Sequence, residues 1–316
     1  MQVKTPAAKF YLCGMEEKQH RSGFVNIIGR PNAGKSTLMN ALVGERMSII
    51  TAKPQTTRHR IIGLLSGDDF QIVFSDTPGI IDDPKYRMQE LMNNAVSTTF
   101  EDADLMLYLI DPNETYSEDE ILVGRLRHLS APLFLLINKK DTVTEARIDE
   151  LKAKFTKWLT PQLILPISAL HGDGVDELMT AIQAALPVGP VYYPKDQLTD
   201  RPERFFVSEI IREQLLEHYH QEIPYSTEVE IESFKETTTK DGTPLIRISA
   251  LIYVARKTQK PIIIGKGGAA IKKLGSAARQ RIETFLESKV FLELHVKVRD
   301  GWRDNERELK RFGYDR

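Results

Sequence analysis

The feature that most constrains this chain is the segment 29–36, which matches the pattern G-x-x-x-x-G-K-[ST]. It follows an apolar run, 24–28, and precedes a stretch, 37–43, whose apolar residues recur at helical spacing. In such a loop the backbone N–H groups surround an anion, Lys35 reaches the β- and γ-phosphates, and the Ser36 hydroxyl binds Mg²⁺. The pattern predicts a nucleotide-binding strand, loop and helix. The predicted contacts of this loop are Gly29, Arg30, Pro31, Asn32, Ala33, Gly34, Lys35, Ser36 and Thr37.

A second motif, Asn-Lys-Lys-Asp at 138–141, predicts which base is bound. It follows a buried-strand pattern at 132–137. The Asp141 carboxylate can accept hydrogen bonds from guanine N1–H and from the exocyclic amine, whereas adenine offers neither donor in that arrangement. Backbone amides after another strand-like run, 163–167, can meet the guanine carbonyl oxygen. The predicted nucleotide is therefore GTP or GDP, with base contacts from Asn138, Lys139, Asp141, Ser168, Ala169 and Leu170.

A third motif, Asp-Thr-Pro-Gly at 76–79, also ends an apolar strand. Asp76 can hold the hydration shell of Mg²⁺, and the Gly79 N–H can sense the γ-phosphate because no side chain blocks the approach. Upstream, Thr57 follows a polar stretch without periodicity and is the candidate second hydroxyl ligand of the metal. The predicted Mg²⁺ ligands are Ser36, Thr57 and Asp76. The predicted catalytic groups are Lys35, Thr57 and Gly79, and the further nucleotide contacts are Asp76, Thr77, Pro78 and Gly79.

The segment 256–281 has the opposite character from the rest of the chain. It contains eight Lys or Arg residues and no Asp or Glu, although the whole chain has 43 basic and 44 acidic residues. A one-sign stretch in a neutral protein indicates a polyanionic partner. Within it, residues 265–268 form a G-x-x-G between apolar runs. The predicted RNA contacts are Lys257, Lys260, Ile264, Gly265, Lys266, Gly267, Gly268, Lys272, Lys273 and Arg279.

The surrounding pattern resembles a KH module, in which a GXXG loop clamps the backbone of about four nucleotides. Helical spacing at 206–219 is followed by strand-like runs at 227–234 and 245–254, and the glycine loop is followed by a helical stretch at 277–287 and a last strand at 290–298. The order α-β-β-α-α-β fits the bacterial (type II) KH module. RNA is the favoured partner, and a membrane or an acidic protein surface is the alternative.

The length and composition of the chain predict two domains. An α/β P-loop GTPase domain with a mixed sheet flanked by helices is expected over 22–186, and a smaller α+β KH domain over 204–301. Between them, 187–203 is expected to be a linker because its prolines block regular pairing. Residues 1–21 are predicted to be an N-terminal extension. Residues 302–316 are predicted to be a C-terminal tail.

Cysteine usage and hydropathy predict the compartment. The one cysteine, Cys13, cannot form an internal disulfide, residues 1–21 do not read as a signal peptide, and no run of 18 apolar residues occurs. We expect a cytoplasmic protein and a monomer, with peripheral contact at the cytoplasmic face of the membrane as an open alternative.

The motifs together resemble the Era family of ribosome-assembly GTPases. The resemblance rests on segments 29–32, 55–60, 76–80 and 207–213, and it extends over nearly the whole chain after the first twenty residues. It implies hydrolysis of GTP to GDP and phosphate with Mg²⁺. It also implies binding to small-subunit ribosomal RNA near its 3′ end and a role in assembly of the small ribosomal subunit.

Two positions affect the expected mechanism. Ile80 stands where Ras-like GTPases carry a glutamine that orients the attacking water, so we expect a slow intrinsic rate. Asn32 has two interpretations. The family resemblance implies a K⁺ ion held by Asn32 in place of an arginine finger, whereas the alternative is that Asn32 only stabilises the loop through backbone hydrogen bonds.

Two alternative functions remain open from the sequence. The chain can be a GTPase of tRNA modification or membrane-associated signalling, or it can be an RNA chaperone with a non-catalytic nucleotide site. The presence of Lys35, Ser36, Asp76 and Asp141 argues against a decayed site.

Overall fold

The computed structural model of the protein describes residues 19–51 and 53–314. Within these ranges the chain forms two units, each with its own sheet, joined by a long connection. None of the described helices is long and apolar enough to cross a membrane.

The first unit is built on a six-stranded sheet in the order β2-β3-β1-β4-β5-β6. β2 is antiparallel to β3, and the other neighbouring pairs are parallel. The strands are β1 (Arg21–Gly29), β2 (Ile61–Ser66), β3 (Phe70–Asp76), β4 (Leu105–Ile110), β5 (Leu133–Ile137) and β6 (Leu163–Pro166). The helices are α1 (Lys35–Val43), α2 (Arg87–Glu101), α3 (Ile121–Leu126), α4 (Glu145–Trp158) and α5 (Val175–Ala185).

Helices cover both faces of this sheet, which explains why its central strands read as continuous apolar runs. All six residues of β4 and all five of β5 are buried. One core contains Leu38 of α1 and Ile182 of α5, and the core on the other face contains Leu151 and Phe155 of α4. The carboxyl ends of the parallel strands meet at one edge of the sheet, so the three motifs that follow β1, β3 and β5 lie together there.

The second unit is a three-stranded sheet with helices on one face. Its elements are α6 (Glu203–His218), β7 (Thr227–Thr238), β8 (Pro244–Val254), α7 (Gln259–Ile264), α8 (Ala269–Phe285) and β9 (Lys289–Val298). β8 is antiparallel to β7 and parallel to β9. Val207 and Ile211 of α6 pack with Ile282 of α8 against Ile252 of the sheet. The predicted fold class, an α/β GTPase domain followed by an α+β unit of order α-β-β-α-α-β, is confirmed.

The connection predicted as a linker over 187–203 runs along the first unit. The Ser22 amide donates to the Pro187 carbonyl (3.1 Å), and the Leu64 amide donates to the Leu198 carbonyl (2.8 Å). The Gln71 side chain bonds the backbone at Tyr193 as donor (2.8 Å) and as acceptor (2.9 Å). These contacts hold the connection against the edge of the sheet.

The C-terminal range, for which the sequence predicts a tail over 302–316, is instead packed as far as the structure describes it. It forms a 3₁₀ turn (Trp302–Asp304) and a short helix, α9 (Glu306–Arg311). Trp302 is fully buried, and its indole N–H donates to the Ser226 carbonyl (3.1 Å). It clusters with Met88 and Met92 of α2. Burial of a large aromatic side chain is the physical reason why this segment does not project into solvent.

Candidate functional site

A cleft of ≈ 550 Å³ opens at the carboxyl edge of the six-stranded sheet. Its size falls in the range of small-molecule sites. Thirteen of the residues predicted from the motifs line it: Pro31, Asn32, Gly34, Lys35, Ser36, Thr37, Thr57, Gly79, Asn138, Lys139, Asp141, Ser168 and Leu170. The remaining predicted residues, Gly29, Arg30, Ala33, Asp76, Thr77, Pro78 and Ala169, do not line the cleft.

Lys35 lies at the floor of the cleft, where α1 begins. It is buried, and its ammonium donates to the carbonyls of Gly29 (3.0 Å) and Arg30 (2.9 Å). Burial lowers the pKa of Lys35 to about 8, although the Asp76 carboxylate opposes that shift. A buried cation that bonds only main-chain carbonyls is suited to receive an anionic ligand. The N-terminus of α1, which begins at Lys35, favours an anion at the same position.

Three oxygen-bearing side chains converge beside Lys35. The Ser36 hydroxyl donates to Asp76 Oδ2 (2.7 Å) and lies 2.9 Å from the Thr57 hydroxyl, which itself lies 3.4 Å from Asp76 Oδ2. Asp76 is fully buried, and its Oδ1 has no hydrogen-bond partner in the described part of the chain. Burial raises the pKa of Asp76, with Lys35 acting in the opposite direction. An unpartnered buried carboxylate oxygen next to two hydroxyls is a donor set that fits Mg²⁺.

Asn138 holds the two sides of the cleft together. Its Nδ2 donates to the Ala33 carbonyl (2.8 Å), and its Oδ1 accepts from the Ala169 amide (2.9 Å). The phosphate loop and the loop after β6 are therefore fixed relative to each other. Ala169 acts through this bond and not by lining the cleft. Thr77, behind the cleft, donates its hydroxyl hydrogen to the Ile27 carbonyl (2.9 Å).

Asp141 is exposed at the rim of the cleft, where a base can reach it. The neighbouring Ser168 hydroxyl holds the pKa of the Asp141 carboxyl below its usual value, so the group is an ionised acceptor at neutral pH. His171 Nε2 lies 3.7 Å from Asp141 Oδ2. Lys139 stretches across this rim and pairs with Asp111 Oδ2 at 2.6 Å. The geometry permits the two-donor recognition expected for guanine.

Arg30 points away from the cleft. It pairs with Glu114 (3.0 Å) and Glu120 (2.8 Å), and its guanidinium lies 4.4 Å from the centre of the Tyr116 ring. The residue therefore anchors the back of the phosphate loop. The guanidinium is occupied by two carboxylates, and the predicted contact of Arg30 with the nucleotide stays a prediction.

Part of the cleft wall was not predicted from the sequence. Seven further residues line the cleft: Ile49, Ile50, Thr51, Lys53, Gln55, Thr56 and Thr142. Six of them belong to the loop between α1 and β2, which has no regular secondary structure at this point. The absence of periodicity at 51–57 indicated a loop, but only the tertiary structure folds it over the cleft.

The second candidate site is the glycine loop between α7 and α8. Gly267 has φ +59° and Gly268 has φ +80°, and α8 begins directly after them. Five of the predicted cations are exposed: Lys266 in the loop, Lys272 and Lys273 early in α8, Lys257 before α7, and Arg279 further along α8. Lys260 and Ile264 are half-buried. A helix N-terminus that is flanked by exposed cations is suited to a phosphate backbone.

An open groove runs from this loop along α8. It is lined by His218, Ala269, Lys272, Lys273, Ser276, Ala277 and Gln280. His218, Ser276 and Gln280 were not among the RNA contacts predicted from the sequence, because no local pattern shows that α6 ends beside α8. Arg281, one of the eight basic residues of 256–281, instead pairs with Glu213 (2.9 Å) and Glu217 (3.1 Å). The free positive charge of the segment therefore lies towards its N-terminal part.

Comparison with known proteins agrees with this arrangement. Residues 24–139 match the family described as 50S ribosome-binding GTPase, and residues 222–303 match the KH domain family. GTPase Era of Alkaliphilus metalliredigens is 46% identical over 297 residues, which cover 94% of this chain and 99% of that protein. GTPase Era of Geobacter metallireducens is 48% identical over 301 residues, covering 95% and 100%.

Two solved structures are similar over both units. One is an Aquifex aeolicus Era variant bound to GDP.AlF4⁻, and the other is Era in complex with MgGDPNP and nucleotides 1506–1542 of 16S ribosomal RNA. Each has a TM-score of 0.85 and 38% identity, and the match covers 93% of this chain and 99% of that chain.

Proposed function

The chain belongs to the Era family of GTPases, and from this premise we propose that it is a GTP-controlled RNA-binding protein of small ribosomal subunit assembly. Its proposed RNA is the region near the 3′ end of small-subunit ribosomal RNA. The observation that carries the proposal is the presence of a guanine-type cleft and an exposed basic GXXG loop in one chain. The RNA-bound Era structure is similar over 93% of this chain, which includes both sites.

The residues of the cleft account for GTP hydrolysis to GDP and phosphate. Lys35 and the phosphate-loop amides neutralise negative charge that develops on the β- and γ-phosphates. Ser36, Thr57 and Asp76 would hold Mg²⁺, which supplies further charge neutralisation when bound. The Gly79 amide lies where the loop after β3 meets the phosphate loop, since a Cβ at this position would be 2.7 Å from Pro31 Cγ. A γ-phosphate can therefore order both loops, and its loss on hydrolysis releases them.

A slow intrinsic rate is part of this proposal. Ile80 occupies the position after the Asp-Thr-Pro-Gly motif, and its half-buried side chain packs against the apolar core on the α4 side of the sheet. An alkyl group neither donates nor accepts a hydrogen bond, so it cannot orient the attacking water. We therefore expect hydrolysis to depend on another group or partner.

K⁺ is the proposed additional cation. Asn32 is exposed, lines the cleft and has φ +64°, so its side chain carbonyl is available at the phosphate loop. Turnover should be several-fold faster in KCl than in NaCl at equal ionic strength. Equal rates in the two salts would support the simpler role of Asn32 as a loop-stabilising residue.

We further propose a monomer that acts in the cytoplasm. Contact with the inner face of the membrane is the weaker alternative, because the exposed cations of the second unit surround a loop that suits a phosphate backbone. The presence of Lys35, Ser36, Asp76 and Asp141 argues against an RNA chaperone with a non-catalytic nucleotide site.

The proposal is tested by RNA binding in defined nucleotide states. We expect an RNA fragment equivalent to nucleotides 1506–1542 of 16S ribosomal RNA to bind more tightly to the GDPNP-bound chain than to the GDP-bound chain. A tRNA and a scrambled fragment serve as controls. Crosslinking in cells, followed by sequencing, should recover the same region. Recovery of tRNA instead would favour the tRNA-modification alternative, and binding that ignores the nucleotide would contradict the switch.

A further inference from the structure

Of the three proposed Mg²⁺ ligands, Thr57 is the one that is not held in place by regular secondary structure. Ser36 lies in the first turn of α1 and Asp76 ends β3, so regular secondary structure places both of them. Thr57 lies in the loop between α1 and β2, outside any helix or strand. Its hydroxyl nevertheless lies 2.9 Å from Ser36 Oγ. Tertiary contacts must therefore hold the backbone at this position.

The residue before Thr57 is held by an arginine of the second unit. Arg212 lies on α6 and is 1% exposed, and its Nη2 donates to the main-chain carbonyl of Thr56. The same guanidinium donates to Glu209 from Nε (2.8 Å) and from Nη2 (2.6 Å). The buried carboxylate fixes the plane of the guanidinium, and the fork geometry aims a donor at Thr56.

The residue after Thr57 is held by the same unit through a second guanidinium. Arg58 is also 1% exposed. Its Nη1 donates to the Thr227 carbonyl (2.7 Å) and to Glu228 Oε2 (3.1 Å), and its Nη2 donates to the Pro224 carbonyl (3.1 Å). Both chain neighbours of Thr57 are therefore attached to the unit that carries the GXXG loop.

The burial of these charges indicates that the contacts contribute more to positioning the backbone around Thr57 than to the free energy of folding. Moving an ion pair out of water costs about as much free energy as the pair returns. Arg58 Nε and Arg212 Nη1 are buried and have no hydrogen-bond partner in the described ranges, which adds to the cost. In return, each planar guanidinium fixes backbone carbonyls at defined positions. A displacement of ~1 Å at a reacting centre can cost ~100-fold in rate.

We infer that Arg212 and Arg58 are positioning residues of the GTP site, which fix Thr57 from the RNA-binding unit. The inference rests on the proposed GTPase function, because Thr57 matters only if the cleft holds Mg²⁺ and GTP. It assigns the second unit a part in nucleotide chemistry in addition to RNA binding. Because coupling between sites is reciprocal, a nucleotide that engages Thr57 also strengthens the attachment of the two units.

The test is Arg212→Lys in the full chain. A lysine keeps a positive charge beside Glu209, but one ammonium cannot hold the carboxylate and the Thr56 carbonyl in the same fork geometry. We expect affinity for Mg²⁺·GDPNP to fall about tenfold and affinity for GDP to stay within about twofold. In the nucleotide-free protein, hydrogen exchange at the amides of 53–57 should become faster. Neither readout requires turnover.

Two further variants make the test decisive. Arg58→Lys weakens the attachment of the same loop at the residue after Thr57 and should reproduce both changes. The inference therefore does not depend on the folding of one variant. Arg204→Ala, exposed on the first turn of α6, is the matched control and should change neither readout. Thermal unfolding identifies conditions in which every variant is folded. Unchanged GDPNP-to-GDP selectivity and unchanged exchange in both lysine variants would overturn the inference, whereas a wild-type chain without GTPase activity would overturn the proposed function instead.

Discussion

The phosphate loop of the first unit and the GXXG loop of the second unit both precede helices, and they differ in how tightly their glycines are enclosed. Gly34 (φ +98°) precedes α1 and Gly268 (φ +80°) precedes α8, so both loops aim backbone amides and a helix N-terminus at an anion. A Cβ at Gly34 would lie 2.2 Å from Asn138 Nδ2, and one at Gly29 would lie 2.4 Å from the Leu109 carbonyl oxygen. A Cβ at Gly267 or Gly268 would meet no described atom within 4 Å.

The charges of the two loops differ in the same way. Lys35 is buried, and its pKa is lowered to about 8, whereas Lys266 is exposed. An enclosed cation and a closed wall suit a small ligand whose every phosphate oxygen is recognised. An open loop with exposed cations suits a long polyanion, and the electrostatic attraction between the two depends on salt concentration. The same local motif chemistry thus suits two kinds of ligand, and the packing around each loop distinguishes them.

The comparison is tested most strongly by replacing one glycine in each loop with alanine. Gly34→Ala places a Cβ against the Asn138 amide in a left-handed backbone conformation, so the loop must move. We expect affinity for GDP to fall by about a thousandfold, measured by fluorescence titration with a labelled nucleotide.

Gly267→Ala is the matched control, because its φ of +59° is also left-handed but its surroundings are open. Only the strain of the backbone remains, and RNA affinity should fall by about threefold to tenfold while GDP affinity is unchanged. Equal losses in the two variants would show that backbone conformation, and not enclosure, distinguishes the loops.

A smaller effect is expected at the rim of the enclosed site. Asp141→Asn replaces the acceptor of two guanine hydrogen bonds with an amide that can donate. We expect affinity for GTP to fall about a hundredfold and affinity for xanthosine triphosphate to rise, since the extra carbonyl of xanthine accepts from the new amide. Competition binding with both nucleotides measures the change. Retained guanine preference would remove Asp141 from base recognition.

A smaller effect than at Asp141 is expected from charge reversal at the open loop. Lys266→Asp together with Gly267→Asp places two negative charges where a phosphate backbone is expected. RNA affinity should fall at least about tenfold at moderate salt, and its dependence on salt should become shallower, whereas GTP affinity should not change. Titrations at several salt concentrations measure the slope. Unaltered RNA binding would place the RNA interface on another surface.

Short motifs located both loops in the sequence, but the predicted bounds of the elements around them differ from those in the structure. The helix after the GXXG loop was expected over 277–287, but α8 begins at Ala269, eight residues earlier. Its first two turns carry Lys272 and Lys273 on an exposed face and little apolar periodicity, so the pattern was weak there. Similarly, the first strand of the second unit was expected over 227–234, but β7 continues to Thr238 because hydrogen bonds to β8 extend it.

The family and the fold class were predicted correctly from motifs, whereas the contacts between the two units were not predicted. Lys53, for example, donates to carbonyls at the end of α6, among them that of Tyr219 (2.5 Å). Tyr314 lies with its ring centre 4.5 Å from that of His59. Each of these pairs is separated by many tens of residues, and no local spacing connects them. The placement of the individual nucleotide and RNA contacts therefore stays a prediction for the binding experiments.

The amino-acid sequence by itself determined the two glycine loops suited to anions, the Asp141 carboxylate predicted to recognise guanine, and the hydroxyl and carboxylate groups suited to Mg²⁺. These features depend on short segments, in which residue type and spacing fix the local backbone and the available chemical groups. Only the tertiary structure decided that Arg58 and Arg212 fix the segment around Thr57 and that Trp302 packs against α2. Such contacts arise when two separately folded surfaces are brought together, and their geometry depends on shape and burial over the whole molecule.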